Sequence, residues 1–215
     1  MTSTMIGSRI SNAVGDDRGS GLRRTLTVLV VWFFAAVWLG LSGVAGAAGQ
    51  PPIGLGVGVM LPLLVFAADA RLGWPLFRGL AQLDLPALIA MQTFRIGGVF
   101  FVIAWAKGDL PAAFALPAGL GDIAIGVAAP FVAAAVAAGR PRARLLATAW
   151  TLLGLADLMT ALTLGVTHSS SSFGVLATHV TTDRLAVYPF SLIPTFFVPL
   201  AFILHALSLR ALARR

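Results

Sequence analysis

The 215-residue chain has no cysteine and no glutamate, and only one lysine (Lys107) and one tyrosine (Tyr188). Without thiols it can form no disulfide, thiol nucleophile or Cys-ligated metal cluster. Charge of either sign is scarce: 11% of residues are charged, 58% are hydrophobic, and mean hydropathy is +0.92. A water-soluble domain carries roughly 25% charged residues, so that class is excluded. The alternating segments of about ten residues that mark a membrane β-barrel are absent. So are a phosphate-binding Gly-Lys loop, a Gly-rich dinucleotide turn after a strand, and a His-Glu-x-x-His helix. The run Ser169–Ser172 reads as a polar loop rather than a nucleophile elbow. No catalytic residue, cofactor or metal is therefore assigned.

What the chain has is long apolar runs. Crossing a hydrocarbon core of about 30 Å takes about 20 apolar residues in a helix, where every backbone polar group is satisfied internally. The expected fold is all-α: a polytopic bundle of six transmembrane helices. The spans are expected at about 25–48, 53–70 (after the breaker Pro51-Pro52), 86–106, a fourth starting within 110–117 and ending near 138, 143–166 and 185–209. In domain terms, residues 1–24 are a polar, Gly- and Ser-containing segment expected to be disordered. Residues 25–210 form the six-span domain, and 211–215 a basic tail.

Charge sets an orientation. With both termini cytoplasmic, the inner segments hold twelve of the fifteen basic residues: Arg9, Arg18, Arg23, Arg24, Arg71, Arg78, Arg140, Arg142, Arg144, Arg210, Arg214 and Arg215. Lys107 and Arg184 fall outside and Arg95 lies within a span. That asymmetry is the positive-inside pattern, and it accounts for the +7 net charge without a nucleic-acid partner. The lipid bilayer is the expected partner. A second copy or another membrane subunit is also compatible, because six thin helices enclose little volume. The basic start, the first apolar run and Ala45-Gly46-Ala47 also allow a cleavable signal peptide, but the run is long for one. Residues 71–85 place Arg71, Arg78 and Gln82 on one narrow helical face, with Leu76, Leu80 and Leu83 opposite, as in an interfacial helix with Trp74 and Phe77 among the headgroups. An ordinary connecting loop is the alternative.

Three charges sit inside apolar runs: Arg95, Asp122 and Asp157. A charge at the bilayer centre costs about 2.5–3.5 kcal/mol on insertion scales and is usually paired or functional. Arg95 is about 14 Å into span three at ~1.5 Å per residue, and Gln92, three residues earlier, shares its face. Asp157 lies near the middle of span five, and Asp122 lies at that depth or nearer the outer surface, depending on where span four begins. The expected site is one midplane cluster of Arg95, Asp122, Asp157 and Gln92. Two acids facing one base leave a surplus negative charge, so one carboxyl is expected to hold a proton at neutral pH. The alternative is interhelical glue, worth about 0.6 kcal/mol per polar pair. Gly119, Gly126 and residues 133–138 thin span four, and Gly154 and Ala161 flank Asp157. Pro130, Pro194 and Pro199 each free a carbonyl, as in the broken helices of transporters.

Gly119-Leu-Gly-Asp122-Ile resembles Gly154-Leu-Ala-Asp157-Leu, and Asp-Leu-Pro-Ala occurs at 84–87 and again at 109–112. Both pairs could mark an internal repeat, though apolar helices share short words easily. Of the histidines, His205 is expected near the cytoplasmic end of span six, and His168 and His179 in the outer loop. Residues at opposite faces cannot ligate one haem, and His168, His179 and Asp183 lack a metal-ligand spacing.

Leu116-Pro-Ala-Gly-Leu-Gly-Asp-Ile-Ala-Ile-Gly-Val127, Gln92-Thr-Phe-Arg95 and Leu192-Ile-Pro-Thr-Phe-Phe-Val-Pro-Leu200 with His205 resemble uncharacterised bacterial multi-pass integral membrane proteins over about residues 85–210. The resemblance implies a bacterial inner-membrane location and no particular chemistry. A composition rich in Ala, Gly and Arg fits a GC-rich bacterial gene. The functional expectation is a small transporter-like or proton-linked permease. A non-catalytic assembly or sensor subunit is the alternative. An enzyme ranks below both, because the loops are too short to house a soluble active site.

Overall fold

A computed structural model describes residues 2–46 and 53–214, with side chains from residue 19 onward. Helix α1 (Thr2–Leu41) and α2 (Ile53–Leu72) come first, then a one-turn helix α3 (Arg78–Ala81). A third passage combines α4 (Leu85–Met91), a 3-10 stretch (Gln92–Gly98) and α5 (Val99–Ala106). Helices α6 (Ala112–Ala137) and α7 (Ala143–Thr167) follow. A 3-10 turn (Thr182–Ala186) precedes the last passage, a π-helical stretch (Ile193–Phe197) running into α8 (Val198–Ala213). No strand occurs among the described residues, and six helical passages are long and apolar enough to cross a membrane.

The spans are Gly19–Leu41, Ile53–Leu72, Leu85–Ala106, Ala112–Ala137, Ala143–Thr167 and Ile193–Ala213. They alternate in direction. The end of the bundle holding Gly19 and Ala213 is called the terminal face here, and the other end the distal face. At the terminal face, Arg144 Nη2 donates to Leu212 O at 2.6 Å and to Arg214 O at 3.2 Å. At the distal face, Thr182 Oγ1 donates to Gly165 O at 2.6 Å.

Several expectations need correction. Helix α1 extends over Thr2–Leu41, and its membrane-spanning part is Gly19–Leu41. The first span ends at Leu41, followed by a turn with Gly43 in the left-handed region (φ 74°). Pro51, Pro52 and Ala47 lie outside the described residues. The sixth span begins at Ile193 rather than 185, and α8 continues to Ala213. Residues 73–85 are a folded connection with a single helical turn, not an interfacial helix. Its cause is the buried Asp69, whose carboxylate accepts from Leu76 N at 2.9 Å and Phe77 N at 3.3 Å. Thr25 Oγ1 completes the clamp, donating to Leu76 O and accepting from Gly79 N. Phe77 is thereby buried against Phe66 instead of facing headgroups.

Three apolar clusters organise the interior. Near α1, Phe77, Leu80 and Leu88 pack with Phe196, Ile203 and Leu204. Towards the terminal face, Ile89, Ile125, Ala129, Val132, Ala147 and Trp150 fill the space between span three, α6 and α7. Towards the distal face, Phe101, Leu110, Phe114 and Ala118 pack with Leu185. The layer between these two is polar.

Candidate functional site

Span three is irregular at its middle. The 3-10 stretch Gln92–Gly98 carries both Gln92 and Arg95, and a 3-10 segment inside a helix commonly marks strain or a functional position. It lies unusually close to α6 because glycines face it. A Cβ on Gly126 would stand 2.6 Å from Ile96 N, and one on Gly98 would stand 2.5 Å from Asp122 Cβ and 2.6 Å from Gly119 O. No side chain larger than hydrogen fits without moving backbone.

This approach places Arg95, 3% exposed, against three other spans. Its Nε donates to Asp122 Oδ1 at 2.6 Å, and its Nη2 donates to Asp157 Oδ2. Its Nη1 meets Gly154 O at 3.2 Å and His205 Nε2 at 3.1 Å. The planar guanidinium is thus used along its whole edge, which a lysine could not reproduce. At ~1.5 Å per residue from the terminal face, Arg95 sits at ~15 Å, His205 at ~12 Å, and the two aspartates at ~21–22 Å. All four groups belong to the middle of the bundle. Gln92 is fully buried one turn from Arg95, and its Nε2 donates to Ala201 O at 3.0 Å. The structure therefore brings Arg95, Asp122 and Asp157 into direct contact, with Gln92 beside them rather than bonded to them.

His205 was expected near one end of span six, away from the cluster. It lies eight residues before Ala213 instead, fully buried against Arg95. Glycine again permits the contact, since a Cβ on Gly154 would overlap the His205 ring. An arginine only donates hydrogen bonds, so Nε2 of His205 accepts and the ring is neutral with its hydrogen on Nδ1. That Nδ1, Gln92 Oε1 and Thr151 Oγ1 are buried without partners among the described residues. Trp150 covers the His205 ring at 5.2 Å between centroids, and its own Nε1 donates to Ile125 O at 3.1 Å. The sequence signal available for His205 was its place in an apolar run, the same one that singled out Arg95. The other two histidines lie elsewhere: His168 is tied by Nδ1 to Leu164 O at 3.0 Å, and His179 is exposed in the distal loops. Asp183 caps Ser170 N at 3.0 Å.

The two aspartates differ in surroundings. Asp122 is 9% exposed and lines two adjoining cavities. The larger, about 680 Å³, extends from the distal loops at Asp109, His179 and Arg184 down to Asp122 and Leu158. The smaller, about 230 Å³, continues from Asp122 to Arg95 between Phe94, Phe101 and Phe197. Asp157 lines neither. It sits at the α6–α7 seam, where a Cβ on Gly121 would overlap its carboxylate.

Of the prolines, Pro194 lines the larger cavity and Pro130 is exposed on the outer side of α6. Pro199 lacks the N–H that would bond Thr195 O, and Trp32 Nε1 donates to that carbonyl instead, at 2.9 Å. The π-helical stretch beside it forms part of the cavity wall at Ile193 and Pro194. Such stretches are frequent at functional sites.

No curated protein and no solved structure matches the chain. Residues 51–213, which include every member of the cluster and all but the first span, match the model of a domain of unknown function (DUF8737), and the chain belongs to that family.

Proposed function

We propose that this protein is a small proton-linked permease of a bacterial cytoplasmic membrane, with both termini in the cytoplasm and the distal face outward. One observation carries the reading: the mid-depth charges are not sealed. A cavity runs from the exposed distal loops to Asp122, and a second joins Asp122 to Arg95. An ion pair whose only task is to hold helices together gains nothing from a cavity leading to it. A permease needs that path, because the carboxylate must meet both solute and protons from one face at a time. Helix breaks along the wall, at Pro194 and within Gln92–Gly98, supply places where spans three and six can reshape.

The test is solute-driven proton movement in proteoliposomes loaded with a pH dye, screened with organic cations, organic anions and neutral amphiphiles. At least one solute class should move protons with the unaltered chain. Asp122→Asn and Asp157→Asn should abolish that movement at equal reconstitution. Silence across all three classes, or full movement in both variants, would overturn the permease. Full movement in the variants together with poor expression would mark the cluster as structural glue in an assembly subunit. Orientation has its own test. The natural absence of cysteine lets Val59→Cys report labelling by an impermeant thiol reagent from the outside alone.

A further inference from the structure

Resting on the permease reading, we infer that the cavity is a binding site for lipophilic monovalent cations, and that one such cation and one proton compete for Asp122. The charges at the site give the sign. Arg95 contributes one positive charge and Asp122 and Asp157 one negative charge each, while His205 is neutral because it accepts from Arg95. One negative charge is left over. It is not shared out by hydrogen bonding at Asp122, because Oδ1 takes Arg95 Nε and Oδ2 accepts nothing among the described residues. This carboxylate is nine-tenths buried, yet it lines the floor of both cavities.

The walls give the rest of the ligand. Above Asp122 the larger cavity is lined by Val59, Met60, Phe101, Phe114, Leu158 and Leu162, with polar groups gathered at its distal mouth. At about 680 Å³ it falls within the roughly 300–1,000 Å³ typical of sites for drug-sized ligands. An apolar body with one positive charge at its buried end fits both features. An anion would meet the surplus negative charge, and a strongly hydrated inorganic cation would lose its shell against apolar walls without enough oxygens to replace it. Phe101 and Phe114, packed edge to face at 5.2 Å between centroids, add aromatic surface of the kind cations favour. The ionisable groups around the path are Arg95, Asp157 and His205 at its base, and Asp109, His179, Asp183 and Arg184 at its mouth. Among these described ionisable groups, Asp122 alone lines both cavities and touches Arg95. Neutralising the surplus charge takes one positive equivalent, either a proton or the cation. Binding the cation therefore expels the proton, and the charge of the loaded site is the same in both states.

The experiment measures tetraphenylphosphonium binding to the full chain in nanodiscs, beside tetraphenylborate, an anion of nearly the same shape. Tetraphenylphosphonium should bind at least tenfold more tightly, release up to one proton per ion, and weaken as the medium is acidified. Asp122→Asn should remove both the binding and the proton release. Leu162→Trp, which fills the cavity and leaves every charge in place, should weaken binding at least tenfold. Equal binding of the two ions, or no tetraphenylphosphonium binding by the unaltered chain, overturns the inference without any variant having to fold. The two readings fail separately. Asp122-dependent proton movement driven by a neutral or anionic solute, without phosphonium binding, removes the cation assignment and leaves the permease. Phosphonium binding with proton release, but no proton movement across vesicles, keeps the site and removes the permease.

Discussion

Spans one and two and spans three to six are built from equally apolar sequence but are held very differently. In span two 11% of the hydrophobic window is buried inside the protein, and in span one 17%, against 39% in spans three and four and 50% in span six. Val31, Phe34 and Trp38 of α1, and Val57, Leu61 and Leu64 of α2, are all exposed. In lipid that exposure costs nothing, because the hydrocarbon solvates these faces as well as another helix would. Spans three to six are bound instead by features lipid cannot replace: the guanidinium bridging α6 and α7, His205 beneath it, and backbone contacts through Gly98, Gly119 and Gly126. The larger cavity lies on the boundary between the two regions, with Leu55, Val59 and Met60 of α2 facing Leu158 and Leu162 of α7. The weakly held pair thus forms one wall of the cavity and the charged core the other.

The largest effect should come from Arg95→Leu. It leaves two facing carboxylates without their cation, and breaking a buried pair in this way costs about 3–5 kcal/mol. Thermal unfolding in detergent should show a large drop in midpoint, and an unchanged midpoint would remove the cluster from its central place in the fold. A matched pair of glycine substitutions comes next. Gly126→Ala forces a methyl against the backbone of Arg95 and Ile96 and should cost about 1–3 kcal/mol by overpacking. Gly56→Ala in α2 meets nothing within 4 Å and should be neutral or slightly stabilising. Equal losses at both positions would erase the distinction between the regions. Trp32→Phe tests one hydrogen-bonded tie between them. Losing its bond to Thr195 O should cost about 1 kcal/mol and loosen α1 from span six, seen as faster amide exchange around 193–199. Smallest of all, Leu64→Ala on the lipid-facing side of α2 should stay within about 0.5 kcal/mol of the parent.

Arg95, Asp122 and Asp157 were legible from the sequence because a charge inside an apolar run is conspicuous wherever the helix turns. Counting residues from the span ends placed Arg95 and Asp157 near the middle and left Asp122 open, because the start of span four was not fixed. Both Gly-Leu-x-Asp words have the same geometry, a glycine one turn before the acid that lets another span come close: Gly119 faces Gly98, and Gly154 faces His205. His205 was misplaced because its depth was judged from a span end set too early. Asp69, which shapes the turn after span two, was missed because an acid three residues from a helix end looks like ordinary interfacial polarity.

The sequence alone determined six spans and three charges within them, because crossing hydrocarbon is a local requirement that each segment of about 20 residues meets by itself. The tertiary structure decided which way each helix faces. In lipid the buried and exposed sides of a span are both apolar, so hydrophobic periodicity carries almost no azimuthal information. Facing is settled by where glycines let backbones meet and where polar groups find partners. Those contacts put Asp122 on the cavity, Asp157 off it, and His205 against Arg95.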